Sequence, residues 1–216
     1  MNEPENPLKK KPSDPKPVPR AALPPTKPTR VRLGKFLVQR KLGSGGFGAV
    51  YQALDESLQR TVALKTILRE FLGDERMRTR FLTEARAVAK LKHPGIITIY
   101  EMGEETGVPY FSMELIDGED LATLSKRGIA PRPAVGLLTK IAEAVGYAHD
   151  HGVIHRDLKP GNIMIRGSAD PIVMDFGLAK DLEESQKGVS LTQDGDVVGT
   201  PMYMAPEQLR GDRNSV

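Results

Sequence analysis

The residues with most chemical content lie between His155 and Asn162, in the run His-Arg-Asp-Leu-Lys-Pro-Gly-Asn. The Asp157 carboxylate is suited to accept the proton of an attacking hydroxyl. Lys159, two positions on, can neutralise charge on a transferring phosphoryl group. The amide oxygen of Asn162 suits Mg²⁺, a hard cation that prefers oxygen ligands. Eighteen residues after Asp157 comes Asp175-Phe176-Gly177, directly behind the apolar Ile172-Val173-Met174. A carboxylate at such a strand end, beside a glycine, is a second oxygen ligand for a metal bridging β- and γ-phosphates. Asp-Phe-Gly alone is common; its weight comes from its spacing after Asp157.

Upstream, Gly43-Ser44-Gly45-Gly46-Phe47-Gly48-Ala49-Val50 offers a glycine-rich backbone that can approach phosphates and present amide hydrogens to them. The same spacing occurs in dinucleotide-binding folds, but there a helix follows the glycines. Here Ala49-Val50-Tyr51-Gln52-Ala53 reads as a strand, which favours a flap between two antiparallel strands. Val62-Ala63-Leu64-Lys65 ends an apolar alternation on a lysine, whose ammonium can reach ATP α/β-phosphates if a carboxylate holds it. Glu84 is the candidate partner; otherwise it is a helix-surface charge near Arg80.

These groups need a frame. Segments 36–42, 49–54 and 61–67 read as short strands, and residues 75–92 follow a helical period with Met77, Phe81, Ala85, Val88 and Leu91 on one face. Strand-like runs surround Ile97 to Glu101 and Tyr110 to Leu115, before a break at Asp117-Gly118. Residues 133–151 form a second helical pattern with Val135, Leu138, Ile141, Val145 and Ala148 on one face. Ile163–Ile165 and Ile172–Met174 read as arms of a hairpin around Gly167. Gly199-Thr200-Pro201 and Ala205-Pro206-Glu207 close a polar segment from 175 to 207 with the look of a mobile loop.

Of the 216 residues, 39% are apolar, enough for a packed core, and there is no cysteine for a disulfide or thiolate metal site. No apolar run is long enough to span a bilayer, and the start lacks the apolar stretch of a secretory signal, so a cytoplasmic setting is expected. The net charge of +3 divides unevenly: residues 1–35 carry nine basic and three acidic side chains, the remainder 22 basic and 25 acidic. Basicity confined to the leader argues against a nucleic-acid-binding domain. Residues 1–34 also hold nine of the 17 prolines and are expected to be a disordered leader.

Taken in order, the glycine-rich run, VALK, HRDLKPGN, DFG and APE resemble the protein kinase superfamily over residues 36 to about 212. Lys159 resembles the Ser/Thr class, and HRDLKPGNIMI, VMDFGLAK and VGTPMYMAPEQ are similar to bacterial kinases of eukaryotic type. The resemblance implies an α+β, two-lobed fold, with a β-rich N-lobe over about 35–116 and a helical C-lobe over about 117–216. It implies ATP and Mg²⁺ as ligands and protein hydroxyls as acceptors. Leu42, Val50, Ala63 and Met164 would enclose the adenine. Met113 looks like the gatekeeper, with Glu114 and Ile116 as hinge positions. Thr200 would bond Asp157 and Lys159, while His155 and Phe176 look like members of a regulatory spine. Arg156 implies control by phosphorylation, with Thr192 the best acceptor, Ser190 second and Asp194 an acidic neighbour; self-phosphorylation between two copies is then possible.

The chain stops nine residues after Glu207. The resemblance implies further helices there, so an incomplete C-lobe is expected, and a longer form with a membrane anchor is compatible with it. Two readings therefore stand side by side: an active Ser/Thr kinase, or a nucleotide-binding fragment that is catalytically weak or silent.

Overall fold

The computed structural model describes residues 31–45, 47–176 and 201–206. A six-stranded antiparallel sheet is built from β1 (Arg32–Leu33), β2 (Phe36–Ser44), β3 (Gly48–Asp55), β4 (Arg60–Ile67), β5 (Ile99–Glu105) and β6 (Val108–Met113), in the order β1-β2-β3-β4-β6-β5. Helix α1 (Glu75–Ala89) enters between β4 and β5. A smaller sheet follows, of β7 (Gly118–Asp120), β8 (Ile163–Arg166) and β9 (Asp170–Val173), with α2 (Leu121–Lys126) and α3 (Pro131–Asp150) between β7 and β8. This is the expected α+β, two-lobed arrangement.

Strand alternation assigns each side of the large sheet its partner. Phe36, Ala53, Val62, Leu64 and Tyr110 form one buried cluster. Ala63, Phe111 and Met113 join a second cluster that runs through α1 and α3 to the β8–β9 hairpin. Register places Val50 opposite Lys65, Lys65 opposite Phe111 and Ala63 opposite Met113, so this inner side also carries Lys65.

Asp74 caps α1, its side chain accepting from the amides of Arg76 and Met77. The helix ends at Ala89, short of the expected 92, because His93 precedes a proline and is biased away from helix. Leu91 is still buried, just beyond the helix end.

Several expectations are corrected. The leader is expected to run through residue 34, yet Arg32–Leu33 pair with Phe36–Leu37 as an edge strand; residues 1–30 lie outside the described residues. On α3 the buried stripe is Leu137, Ile141, Ala144 and Ala148: of the expected face Ile141 and Ala148 are buried, whereas Val135 and Leu138 are 63% and 62% exposed. One residue is 100° of helix rotation, so taking 138 instead of 137 turns the stripe away from the hairpin it packs on. β1, β7 and α2 are too short to show a period.

Candidate functional site: a phosphate-facing cleft

The site lies between the inner side of the large sheet and the small β7–β8–β9 sheet. Lys65 on β4 is its centre. Its Nζ lies 2.8 Å from Asp175 Oδ1 and 3.5 Å from Glu84 Oε1. Glu84 is only 8% exposed, which removes the reading of it as a surface charge paired with Arg80. Burial opposes the Lys65 ammonium, but the charges of Asp175 and Glu84 outweigh it and raise its pKa. Lys65 in turn holds the Asp175 carboxyl below its ordinary range against the effect of burial. Burial pushes the Glu84 carboxyl up over the pull of Lys65. The tight couple is therefore Lys65–Asp175, with Glu84 the looser third member; a Lys65–Glu84 pair alone was expected.

The glycine-rich turn sits at the sheet edge above this lysine. Gly43 and Ser44 end β2, and the Gly45 amide donates to the Gly48 carbonyl at 2.9 Å. A Cβ on Gly48 would lie 3.0 Å from the Thr66 carbonyl and 3.6 Å from Lys65 Cε, so this position needs glycine to let the two strands close. The Phe47 ring packs 5.4 Å from that of Phe71. Leu42 falls at a bulge between Lys41 and Gly43 and is 39% exposed. Bulges re-aim a side chain away from the regular alternation. Val50 is half-buried, Ala63 and Met113 are buried side by side, and Met164 is half-buried on β8 between Asp120 and Ile172.

Below the sheet, the segment 155–162 is held by its own polar groups. Asn162 Nδ2 donates to the Asp157 carbonyl at 2.8 Å and to Asp157 Oδ2 at 3.0 Å, and Lys159 Nζ pairs with Asp157 Oδ2 at 2.9 Å. Both Asn162 amide hydrogens are thereby used, which leaves its oxygen as the acceptor of that side chain. The Met174 amide donates to the Asn162 carbonyl at 2.9 Å, fixing Asp175 beside Asn162. Arg156 and Asp175 have φ of 59° and 51°. Such left-handed conformations cost a non-glycine residue energy and concentrate at functional sites.

Buried His155 bonds through Nε2 to the Met174 carbonyl at 2.9 Å and lies 4.5 Å from the Phe176 ring, centre to centre. Burial lowers its pKa, and the Asp157 amide donates to Nδ1 at 3.3 Å, which fits a neutral ring with the proton on Nε2.

The two halves meet at a hinge. The Glu114 amide donates to Thr98 O, the Ile97 amide to Val173 O and the Val173 amide to Gly95 O, so residues 95–98 join both sheets. The Glu114 side chain pairs with Arg166 on β8. Glu114 and Ile116 themselves are half-buried in the connection between β6 and β7. The Glu114–Arg166 pair was not foreseen, since nothing in a chain marks two surface charges 52 residues apart as partners. Gly46, Gly177, Ser190, Thr192, Asp194, Thr200 and Glu207 lie outside the described residues. Among the described residues, no group of three or more His, Asp or Glu side chains is gathered for a metal, and no helix is long and apolar enough to cross a membrane.

A lysine between two acids, a glycine turn above it and an Asp–Asn pair below line one cleft of a two-lobed scaffold. The chain belongs to the protein kinase family: the protein kinase domain description matches residues 36–216. It is 40% identical over 192 residues to the DNA damage-responsive serine/threonine-protein kinase RqkA of Deinococcus radiodurans, covering 87% of this chain and 28% of that protein. It is 40% identical over 185 residues to the serine/threonine-protein kinase PknA of Mycobacterium tuberculosis, covering 82% of this chain and 42% of that one. Among solved structures, "PpkA-294 apo form" superposes with a TM-score of 0.70 at 29% identity, over 85% of this chain and 71% of that chain. The kinase domain of M. tuberculosis PknI gives 0.60 at 29%, over 72% and 63%. The chain thus spans about a quarter to two-fifths of the length of the curated relatives it matches. Protein kinases as a family act on proteins and use ATP with Mg²⁺.

Proposed function

We propose that the protein transfers the ATP γ-phosphoryl group to Ser or Thr hydroxyls of proteins. The observation that carries this reading is the pair of polar clusters facing one cleft, Lys65–Glu84–Asp175 and Asp157–Lys159–Asn162. Asp157 orients the acceptor hydroxyl and takes its proton, while Lys159 balances charge at the transferring group. Lys65, held by Glu84, and the amides of the Gly43–Gly48 turn bind the phosphates. Leu42, Val50, Ala63 and Met164 enclose the adenine, Met113 bounds it at the back, and the hinge backbone at Glu114 and Ile116 meets its polar edge.

The donor set, one carboxylate and one amide oxygen, suits a hard cation such as Mg²⁺. Asp175 and Asn162 would hold the ion, which supplies charge neutralisation at the β- and γ-oxygens. Thr192 is the proposed self-phosphorylation site, with Ser190 second, through transfer between two copies of the chain; Thr200 is the proposed partner of Asp157 and Lys159. The domain is assigned to the cytoplasm, where ATP is abundant.

Incubating the 216-residue chain with labelled ATP-Mg²⁺ and a basic test protein decides the reading. Label on Thr192 and on the test protein, both lost in Lys65→Met while ATP still binds, is the expected result. ATP binding with no label under any condition selects the silent nucleotide-binding reading instead.

A further inference from the structure

Glu84 can serve Lys65 only if α1 is held at one rotation and one height over the sheet. Packing of Phe81, Ala85 and Val88 fixes the helix in part, with the Phe81 and Phe111 rings 5.1 Å apart. Apolar contact is non-directional and leaves sliding and rotation weakly determined. The structure contains a directional constraint as well. Arg78, in the first turn of α1 and 19% exposed at its side chain, spreads its guanidinium over the tip of the β5–β6 hairpin. Nη2 lies 2.8 Å from Glu104 Oε2, and Nη1 donates to the Gly107 carbonyl at 2.8 Å. Nε lies 3.4 Å from Glu75 on the same helix.

The receiving turn is rigid. Glu105 pairs with Val108, leaving Thr106 and Gly107 as a two-residue loop with φ of 47° and 80°. Two consecutive positive φ values are the signature of the hairpin turn whose twist matches its strands, so the Gly107 carbonyl has a set direction. A planar guanidinium with a carbonyl on one nitrogen and a carboxylate on another reads both position and angle, which a lysine could not do. Arg78 stands six residues before Glu84, about 9 Å along the helix axis. The hairpin is continuous with β6, which pairs with the strand that carries Lys65. The clamp thus references the Glu84 helix to the sheet of its own partner.

We propose that Arg78 is a positioning residue for phosphoryl transfer: through Glu104 and the Gly107 carbonyl it sets the height and rotation of α1, and so the reach of Glu84 to Lys65. This inference rests on the phosphate-site reading of Lys65 and Glu84. The Lys65–Glu84 separation of 3.5 Å is at the limit of a hydrogen bond, so a small shift of α1 decides whether that bond is made.

The test is a mutant cycle in the full chain, with turnover and α1 amide exchange as readouts. Arg78→Gln is expected to lower kcat by about 10- to 100-fold, the scale of a 1 Å misplacement, with the KM for ATP changed much less. Glu104→Gln should act in the same direction more weakly, and Arg78→Lys should recover only part, since an ammonium lacks the fork. Adding Arg78→Gln to Glu84→Gln should cost under about twofold more, because the clamp has nothing left to position. Amide exchange over residues 81–86 should rise in Arg78→Gln while that of β2–β4 stays unchanged, a readout independent of turnover. Unchanged kcat and exchange in Arg78→Gln, or losses that multiply fully on Glu84→Gln, overturn the proposal. If Arg78→Gln does not fold, Glu104→Gln and Arg78→Lys carry the same test. Full turnover in Lys65→Met and Glu84→Gln would instead overturn the phosphate-site reading.

Discussion

Asp157 shows how much of the site is arranged before any substrate arrives. Lys159 and Asn162 both bond Oδ2, so two donors orient the carboxylate. Replacing it by Asn keeps the shape and removes the proton acceptor, so Asp157→Asn is expected to lower the transfer rate roughly 10²- to 10⁴-fold with ATP affinity retained. Single-turnover rates beside nucleotide titrations check this, and an unchanged rate would remove Asp157 from the chemistry. His155 tests the support beneath it. Burial depresses its pKa below the ordinary 6.5. As pH falls through 6.5, the unfolded chain takes up this proton before the folded one, so stability is full above that value and declines toward the depressed folded pKa. His155→Gln keeps a donor for the Met174 carbonyl but does not titrate there. Urea midpoints at pH 7.5 and 5.5 are expected to differ less in the variant than in the parent; parallel declines would assign the acid sensitivity elsewhere.

Elements differ in how plainly the chain announces them. β2, β3 and β4 were legible because glycine and polar turns cut an apolar alternation into strand lengths, and α1 because Phe81, Ala85 and Val88 keep one helical face. α3 was legible as a helix but not in its rotation: Val135, Leu137, Leu138 and Ile141 spread apolar residues around too wide an arc for the period to choose. Packing chose, setting Ala144 against Gly95, where an added Cβ would lie 3.0 Å away, and Ile141 toward the core. The motif positions of the site were readable in order, whereas the joints that aim them were not. Arg78–Gly107 and Glu114–Arg166 link charged or backbone groups far apart in sequence, and no local pattern marks them. The face assignment has a direct check. Leu137→Ala, at a buried position that only the observed face includes, should destabilise by about 2–5 kcal/mol through a cavity. Val135→Ala should stay within about 0.5 kcal/mol, since it removes an exposed side chain. Equal losses in denaturant melts would restore the face centred on Val135.

At the scale of the molecule, the cleft is a joint between two sheets, and its ligand groups come from both. Lys65, Glu84 and the glycine turn ride on the large sheet and α1, whereas Asn162 and Asp175 flank the β8–β9 hairpin. Without a ligand the two sides are tied by the 2.8 Å Lys65–Asp175 pair and the backbone bonds of residues 95–98. On the proposed reading a nucleotide alone would engage mainly the sheet side. A metal at Asp175 and Asn162 would extend the same ligand onto the other side, so nucleotide and metal should stabilise more together than the sum of each. Linkage sets the size: a ligand at a hundred times its Kd adds about 2.7 kcal/mol, or roughly 5–10 °C for a domain of this length. Thermal melts with ATP, with Mg²⁺ and with both are expected to show a joint shift exceeding the two separate shifts added. Chelation should return it to the ATP value. Asp175→Asn should remove the metal-dependent part and keep the nucleotide part, because the glycine turn and Lys65 remain. Equal shifts for ATP with and without Mg²⁺ in the parent chain would show that Asp175 and Asn162 do not share the ligand with Lys65, and the cleft would then bind its nucleotide from one side only.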